Sequence, residues 1–235
     1  MSDLRGTLII DADDTLWENT IHFEDATERF LDLAVLHGGS REKARELLES
    51  YERQNISEHG YGTGVFTRSM MDALEEATKK NTSASDRERI LALGQGIRKM
   101  PIQYLPGVRE TLPLLKRHYR LILFTKGDHQ EQSDKVQRSG ATLYFHHVEV
   151  TGEKSSADYE RLVQRHDIEL ESGWMVGNSP RSDVNPALNV GLGAVYIPHP
   201  RMWRLEHEDV QPRKGARFKV LKCFSDLLEH FLHRR

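Results

Sequence analysis

A chain of 235 residues with 37% hydrophobic and 29% charged side chains has the composition of a globular protein rather than a disordered one. It suits one large domain or a core with a smaller insert. The 33 Lys plus Arg and 36 Asp plus Glu leave a net charge of -3, which argues against the broad basic face that a nucleic-acid footprint requires. The single cysteine, Cys223, excludes an intramolecular disulfide and a cysteine-rich metal site. It fits a reducing cytoplasm and reads as a buried core thiol. The N-terminal apolar run is too short for a signal peptide, and no window approaches the ~18 apolar residues of a membrane span.

The first predicted element is a short buried strand, TLII at 7–10, which stops at Asp11. Three carboxylates then fall within four positions, Asp11, Asp13 and Asp14. Like charges so close require a positive partner. From residue 19 to 101 the pattern is helical throughout. Phe23, Ala26, Phe30, Leu33 and Ala34 recur at helical spacing, Ser40 is a candidate N-cap for a second helix, and helices are expected over 65–80 and 83–100. The glycines at 60, 62 and 64 suit either a mobile loop, with Arg68 as an anion contact, or an ordinary helix–helix connection.

Strands and helices then alternate. A helix over 108–119 precedes a strand at 120–125, and a helix over 129–140 closes at Gly140. A strand at 146–151, a helix at 156–167, a strand at 173–178, a short helix at 183–191 and a strand at 193–198 follow, before a tail helix over 224–235. Such alternation implies βαβ units and a parallel sheet. The expected fold is therefore α/β, a doubly wound parallel sheet formed by residues 1–18 and 102–235, with an inserted all-helical domain over 19–101.

Ligands of such sheets bind beyond the carboxyl ends of the strands. Those ends carry Asp11 and Asp13, then Thr125, Lys126 and Gly127, then Lys154, then Asn178, Ser179 and Asp183. The mix of carboxylates, lysines, a hydroxyl and backbone N–H groups suits a phosphate ester with a divalent cation such as Mg²⁺. One carboxylate can attack phosphorus while a second acid handles the proton of the leaving oxygen. In an extended segment, residues 11 and 13 share a face and Asp14 points away, so Asp14 is given no catalytic role. The Thr125 hydroxyl, the amides after it and the Lys154 ammonium can hold phosphate oxygens. For Trp17 core packing is weighed slightly above substrate contact, and His146 and His147 read as surface or strand-edge residues.

These segments resemble the ordered motifs of the haloacid dehalogenase superfamily. LIIDADDT at 8–15 is similar to its first motif, LILFTKG at 121–127 to its second, Lys154 to its third, and VGNSPRSD at 176–183 to its fourth. The resemblance implies a Rossmann-like core with a C1-type helical cap. It implies Asp11 as nucleophile, Asp13 as general acid/base that also lends a metal its backbone carbonyl, and Thr125 and Lys154 as phosphate holders. Lys126 and Gly127 would join the phosphate site, and Asp11, Asp13, Asn178 and Asp183 the Mg²⁺ site. The family usually has Asp where this chain has Asn178, which removes one negative charge. Dehalogenase members lack the second acid of the first motif, so Asp13 tips the reading toward phosphoryl chemistry, and Thr15 suits a turn-stabilising role. The implied activity is hydrolysis of a small phosphorylated metabolite by a cytoplasmic monomer or homodimer, acting on no nucleic acid or membrane. The alternatives are a metal-independent dehalogenase, a phosphomutase, or a catalytically weak binding or regulatory protein on the same fold.

Overall fold

A computed structural model of the chain describes residues 4–79, 82–212 and 214–232. Lys80 of the third predicted helix and the last three residues of the tail helix lie outside that range. The chain divides into two compact units, residues 1–20 with 102–235, and residues 21–101.

The first unit is built on a six-stranded sheet. β1 (Thr7–Ile10), β2 (Arg120–Lys126), β3 (His147–Thr151), β4 (Gly173–Gly177), β5 (Gly193–Tyr196) and β6 (Phe218–Val220) lie in the order β3-β2-β1-β4-β5-β6. Every pairing is parallel. β1 is central, with Ile10 level with Leu123 of β2 and Val176 of β4. Chain order runs outward one way through β2 and β3, then restarts on the other side of β1 with β4. That reversal is the topological switch point, where such sheets open a crevice.

All four residues of β1 are buried because both faces of the sheet are covered. Leu8 and Ile10 pack with α5 (Val108–Lys116) and α9 (Asp226–Leu232) through Leu112, Leu115 and Leu227. Ile9 faces the other way, onto Tyr159 and Leu162 of α7 (Ser156–Arg165) and Ala187 of α8 (Asn185–Asn189). Two features differ from the sequence-based expectation. The three-residue run Phe218–Val220 forms an edge strand that its Lys219 hides from any apolar pattern. Cys223 is exposed, with its Sγ 3.1 Å from the Ser225 hydroxyl, because it lies in the turn that opens α9 and not in the core.

Among the described residues the second unit holds four helices, the first of which begins one residue upstream of it. They are α1 (Thr20–Leu36), α2 (Arg41–His59), α3 (Thr63–Ala77) and α4 (Ala84–Lys99). Ser40 caps α2, and Ser83 with Asp86 forms a capping box on α4. Gly60 closes α2 and Gly62 opens α3, so the glycine-rich stretch is a helix–helix connection. Arg68 lies on α3, 2.9 Å from His59 Nε2. Phe30, Leu31, Met70, Leu74 and Ile90 form the unit's own core.

Two glycines on α4 have opposite roles. A Cβ at Gly94 would fall 1.9 Å from Thr67 Oγ1 and 3.1 Å from Thr67 Cβ, whereas one at Gly96 would meet nothing within 4 Å. Rotating Thr67 removes only the first clash, and its hydroxyl is held by Thr63 O at 2.6 Å. Gly94→Ala is expected to destabilise by about 1–3 kcal/mol through overpacking. Gly96→Ala is expected to stabilise by about 0.5–1 kcal/mol through helix propensity. Urea midpoints of the two variants check the opposite signs.

Candidate active site

β1 delivers Asp11 to the switch point, where its N–H donates to Val176 O at 3.0 Å. The chain turns at once. Ala12 O accepts from the amides of Thr15, Leu16 and Trp17, at 3.3, 2.8 and 3.4 Å, and Asp14 adopts a left-handed conformation with φ 59°. The period-two argument for residues 11 and 13 therefore does not carry past Ile10, and the turn aims the three carboxylates at three different partners. Asp14 receives the amides of Asn19 and Thr20 at 2.8 and 3.1 Å and the Thr20 hydroxyl at 2.6 Å. It thus secures the chain where α1 begins.

Asp11 meets Lys154. Lys154 follows β3, and the next residue, Ser155, is the N-cap of α7 in a capping box with Asp158, which fixes the backbone from which the lysine leaves. Its ammonium donates to Asp11 Oδ1 at 2.5 Å and to Asp183 Oδ1 at 2.8 Å. Lys154 is only 3% exposed and Asp183 1%. Burial pushes the Asp11 carboxyl up to about 7, opposed by Lys154 and reinforced by Asp183 and Asp13. Burial also works against the Lys154 ammonium, but Asp11 and Asp183 outweigh it and hold the group above the ordinary lysine range. The contact distances are those of a charged lysine between two carboxylates.

Asp183 is delivered by a single π-helical turn, Pro180–Val184, entered through Ser179. The Ser179 amide donates to Asp183 Oδ2 at 3.0 Å, and the Ser182 amide to the Ser179 hydroxyl at 2.9 Å. Ser179 is therefore the residue that caps the loop. Asp183 packs so close to β4 that a Cβ at Gly177 would lie 2.2 Å from its Oδ2, which requires glycine there. Asn178 is buried, and its Oδ1 accepts from the Thr15 hydroxyl at 3.2 Å. Thr15 thereby ties the turn after β1 to the end of β4.

Asp13 has a separate environment. Lys135 Nζ donates to its Oδ1 and Oδ2 at 2.8 and 2.7 Å, Gln132 Nε2 to Oδ2 at 2.9 Å, and Trp17 Nε1 to Oδ1 at 2.7 Å. Burial raises this carboxyl, but Lys135, with help from Gln132 and Trp17, outweighs burial and holds it below the usual carboxylate range. Trp17 is fully buried, with its ring edge-on to Tyr104 at 5.6 Å. It is thus both core and an anchor for Asp13.

Thr125 lies buried at the end of β2. The next two residues, expected to contact phosphate, have partners within the protein. The Lys126 ammonium is 2.6 Å from Glu206 and 2.9 Å from the Ser182 hydroxyl. The Gly127 N–H is already donated to Thr151 O at 2.9 Å, so that amide is not available to a phosphate oxygen. Glu206 also receives the hydroxyls of Ser179 and Ser182 at 2.6 and 2.5 Å, and so ties the end of β2 to the loop after β4. His146 and His147 are exposed at the start of β3.

The metal set expected from the sequence is Asp11, Asp13 through its backbone carbonyl, Asn178 and Asp183. Among the described residues, the Asp, Glu and His side chains whose ligand atoms all lie within 4.8 Å of one another are Asp14, Glu18 and His199. The side chain of Asp13 is bonded by Lys135, and those of Asp11 and Asp183 by Lys154. Asp11 and Asp183 are nonetheless buried carboxylates on a single ammonium, and Asn178, at the end of β4, is a further buried oxygen donor. Two carboxylates against one lysine leave the pocket short of positive charge, and hard oxygen donors fit a divalent cation of the Mg²⁺ type. Among the described residues, no helix is long and apolar enough to cross a membrane.

A family profile described as haloacid dehalogenase-like hydrolase matches residues 6–191. The chain is 27% identical to the N-acylneuraminate-9-phosphatase of Rattus norvegicus over 145 residues, spanning 58% of that relative and 58% of its own length. It is 26% identical to the glyceraldehyde 3-phosphate phosphatase of Methanothermobacter thermautotrophicus over 94% of its own length and 97% of that relative's. It also superimposes on a haloacid dehalogenase-like family hydrolase from Xanthomonas campestris with a TM-score of 0.82, at 28% identity, over 94% of this chain and 92% of that one. With the sheet order, the motif spacing and a match across most of its length in agreement, the chain belongs to the haloacid dehalogenase-like hydrolases.

Proposed function

We propose that this hydrolase cleaves a small phosphomonoester through an aspartyl-phosphate on Asp11. The observation that carries the reading is the buried Asp11–Lys154–Asp183 cluster at the switch point, with a second acid, Asp13, two residues on. Relatives named as phosphatases for N-acylneuraminate 9-phosphate and glyceraldehyde 3-phosphate support the class of substrate.

In this reading an Asp11 oxygen attacks phosphorus and the bond to the leaving oxygen breaks. Asp13 supplies the proton that the leaving alcohol takes. Asp13 then removes a proton from the water that attacks the phosphoryl group, releasing inorganic phosphate and restoring Asp11. Lys154 offsets charge on Asp11 and on the phosphoryl oxygens, and the Thr125 hydroxyl holds one of those oxygens. Mg²⁺ held by Asp11, Asp183 and Asn178, with the Asp13 carbonyl, would neutralise the phosphate dianion. The helical insert corresponds to the C1-type cap that the family resemblance implies. The enzyme acts in the cytoplasm, as a monomer or homodimer.

The test is p-nitrophenyl phosphate turnover with Mg²⁺, followed by a panel of sugar phosphates. EDTA is expected to lower the rate by roughly 100-fold or more, since a bound cation contributes several kcal/mol of charge stabilisation, and added Mg²⁺ to restore it. Hydrolysis of a haloacid that EDTA leaves unchanged, with none of the esters turned over, would favour the metal-independent dehalogenase chemistry. Absence of turnover on every ester and on the haloacid would leave the binding-protein reading.

A further inference from the structure

The reading above gives Asp13 the proton-handling role, and the inference here rests on it. We propose that Lys135 of α6 (His129–Ser139), assisted by Gln132, is a positioning residue that aims the Asp13 carboxylate at the leaving oxygen.

The two site lysines have separate tasks. Lys154 bonds Asp11 and Asp183. Lys135 uses its three protons on Asp13 Oδ1, Asp13 Oδ2 and Asn19 Oδ1, the last at 2.8 Å. Asn19 lies just past the turn that carries Asp13, so Lys135 grips both the carboxylate and the chain behind it. Gln132 stands one helical turn earlier on the same helix, buried, and its amide also reaches Lys126 O at 3.2 Å. It thereby references Asp13 to the end of β2, next to Thr125.

With four donated hydrogen bonds, the Asp13 carboxylate has its lone-pair positions filled. A leaving oxygen must displace one donor to reach it. Trp17 is fixed by the core and Gln132 by its second bond. Lys135 alone among the three contacts both oxygens, so it can release one and keep the ion pair through the other. In the first step Asp13 carries its proton on the oxygen that Lys135 has released, gives it to the leaving oxygen, and returns to the carboxylate that Lys135 holds through both oxygens.

A general acid matters in proportion to how badly the leaving group needs a proton. The experiment therefore compares phenyl phosphate, whose phenolate is a poor leaving group, with 2,4-dinitrophenyl phosphate, whose phenolate leaves unaided. Lys135→Met is expected to lower kcat/KM for phenyl phosphate by about 100-fold, and to lower it at least tenfold less for the dinitrophenyl ester. Asp13→Asn is expected to show the same bias, and Lys135→Arg to recover part of the phenyl phosphate rate. Equal losses on both esters, or no loss on either, would overturn the proposal, since a merely structural ion pair has no leaving-group preference. If Lys135→Met does not fold by circular dichroism, Gln132→Met is read on the same two esters with the same two outcomes. A wild-type protein that hydrolyses neither ester would overturn the phosphatase reading and this inference together. Equal losses against an active wild type would overturn the inference alone.

Discussion

Asp11→Asn is expected to abolish turnover of p-nitrophenyl phosphate, with a loss of at least about 1,000-fold, while leaving the protein no less stable. The two effects have one cause. The carboxylate is the nucleophile of the proposed reaction, and an amide of the same shape cannot form the phosphorylated intermediate. The same carboxylate is costly to the fold. Burial pushes it up to about 7 from an ordinary value of 3.8, so above that pH the folded state carries a charge that the unfolded chain would leave in water. A raised carboxyl pKa contributes stability that is complete below the unfolded value and is lost as pH rises from about 4 through 7. Asn carries no such dependence. In EDTA at pH 8, Asp11→Asn is therefore expected to gain about 1–2 kcal/mol over wild type, with the gain disappearing near pH 4. Thermal melts across that range check the sign. An Asn variant as active as wild type would remove Asp11 from the chemistry.

The strands β1, β2, β4 and β5 were legible in the sequence because they are covered on both faces. TLII, LILF and WMVG are continuous apolar runs that stop at polar residues, and those stops coincide with the carboxyl ends of β1, β2 and β4. The helical unit was legible from helical periodicity and from Ser40 and Ser83, whose hydroxyls accept amides as N-caps. Three features were not legible, each for a physical reason. The relation of Asp13 to Asp11 was misread because strand alternation was extended into a turn that Ala12 O closes with three amides. Glu206 was missed because it is bound to the site by side-chain contacts across 24 to 80 residues of sequence, with no local pattern to mark it. Lys135 and Gln132 were missed although a signal was present. Gln132, Val136 and Ser139 are the buried face of α6, and a polar side chain in such a stripe needs a buried partner. Gln132 finds Asp13.

Lys154→Met is expected to be the most damaging single change to stability in the core site. Met fills much of the lysine's volume, so the effect isolates the charge. In wild type one ammonium, 3% exposed, answers two carboxylates at 2.5 and 2.8 Å. Removing it leaves Asp11 and Asp183 buried and mutually repelling, since among the described residues the remaining donor to these two side chains, the Ser179 amide, reaches only Asp183. Breaking a buried pair by deleting one partner typically costs about 3–5 kcal/mol, a large fraction of the stability of any domain. The direction of the pH dependence follows. Burial and Asp183 both raise Asp11, and Lys154 is what opposes them. Without it the carboxyl rises further, so the folded variant is more stable with Asp11 protonated. The deficit in EDTA should be largest at pH 8 and shrink toward pH 5. Mg²⁺ should recover part of it, because a divalent cation can satisfy the two carboxylates that the lysine has left. Urea unfolding at both pH values, with and without Mg²⁺, separates these contributions. A variant as stable as wild type at pH 8 in EDTA would mean that the two carboxylates do not share a buried pocket, and the nucleophile assignment would lose its physical basis.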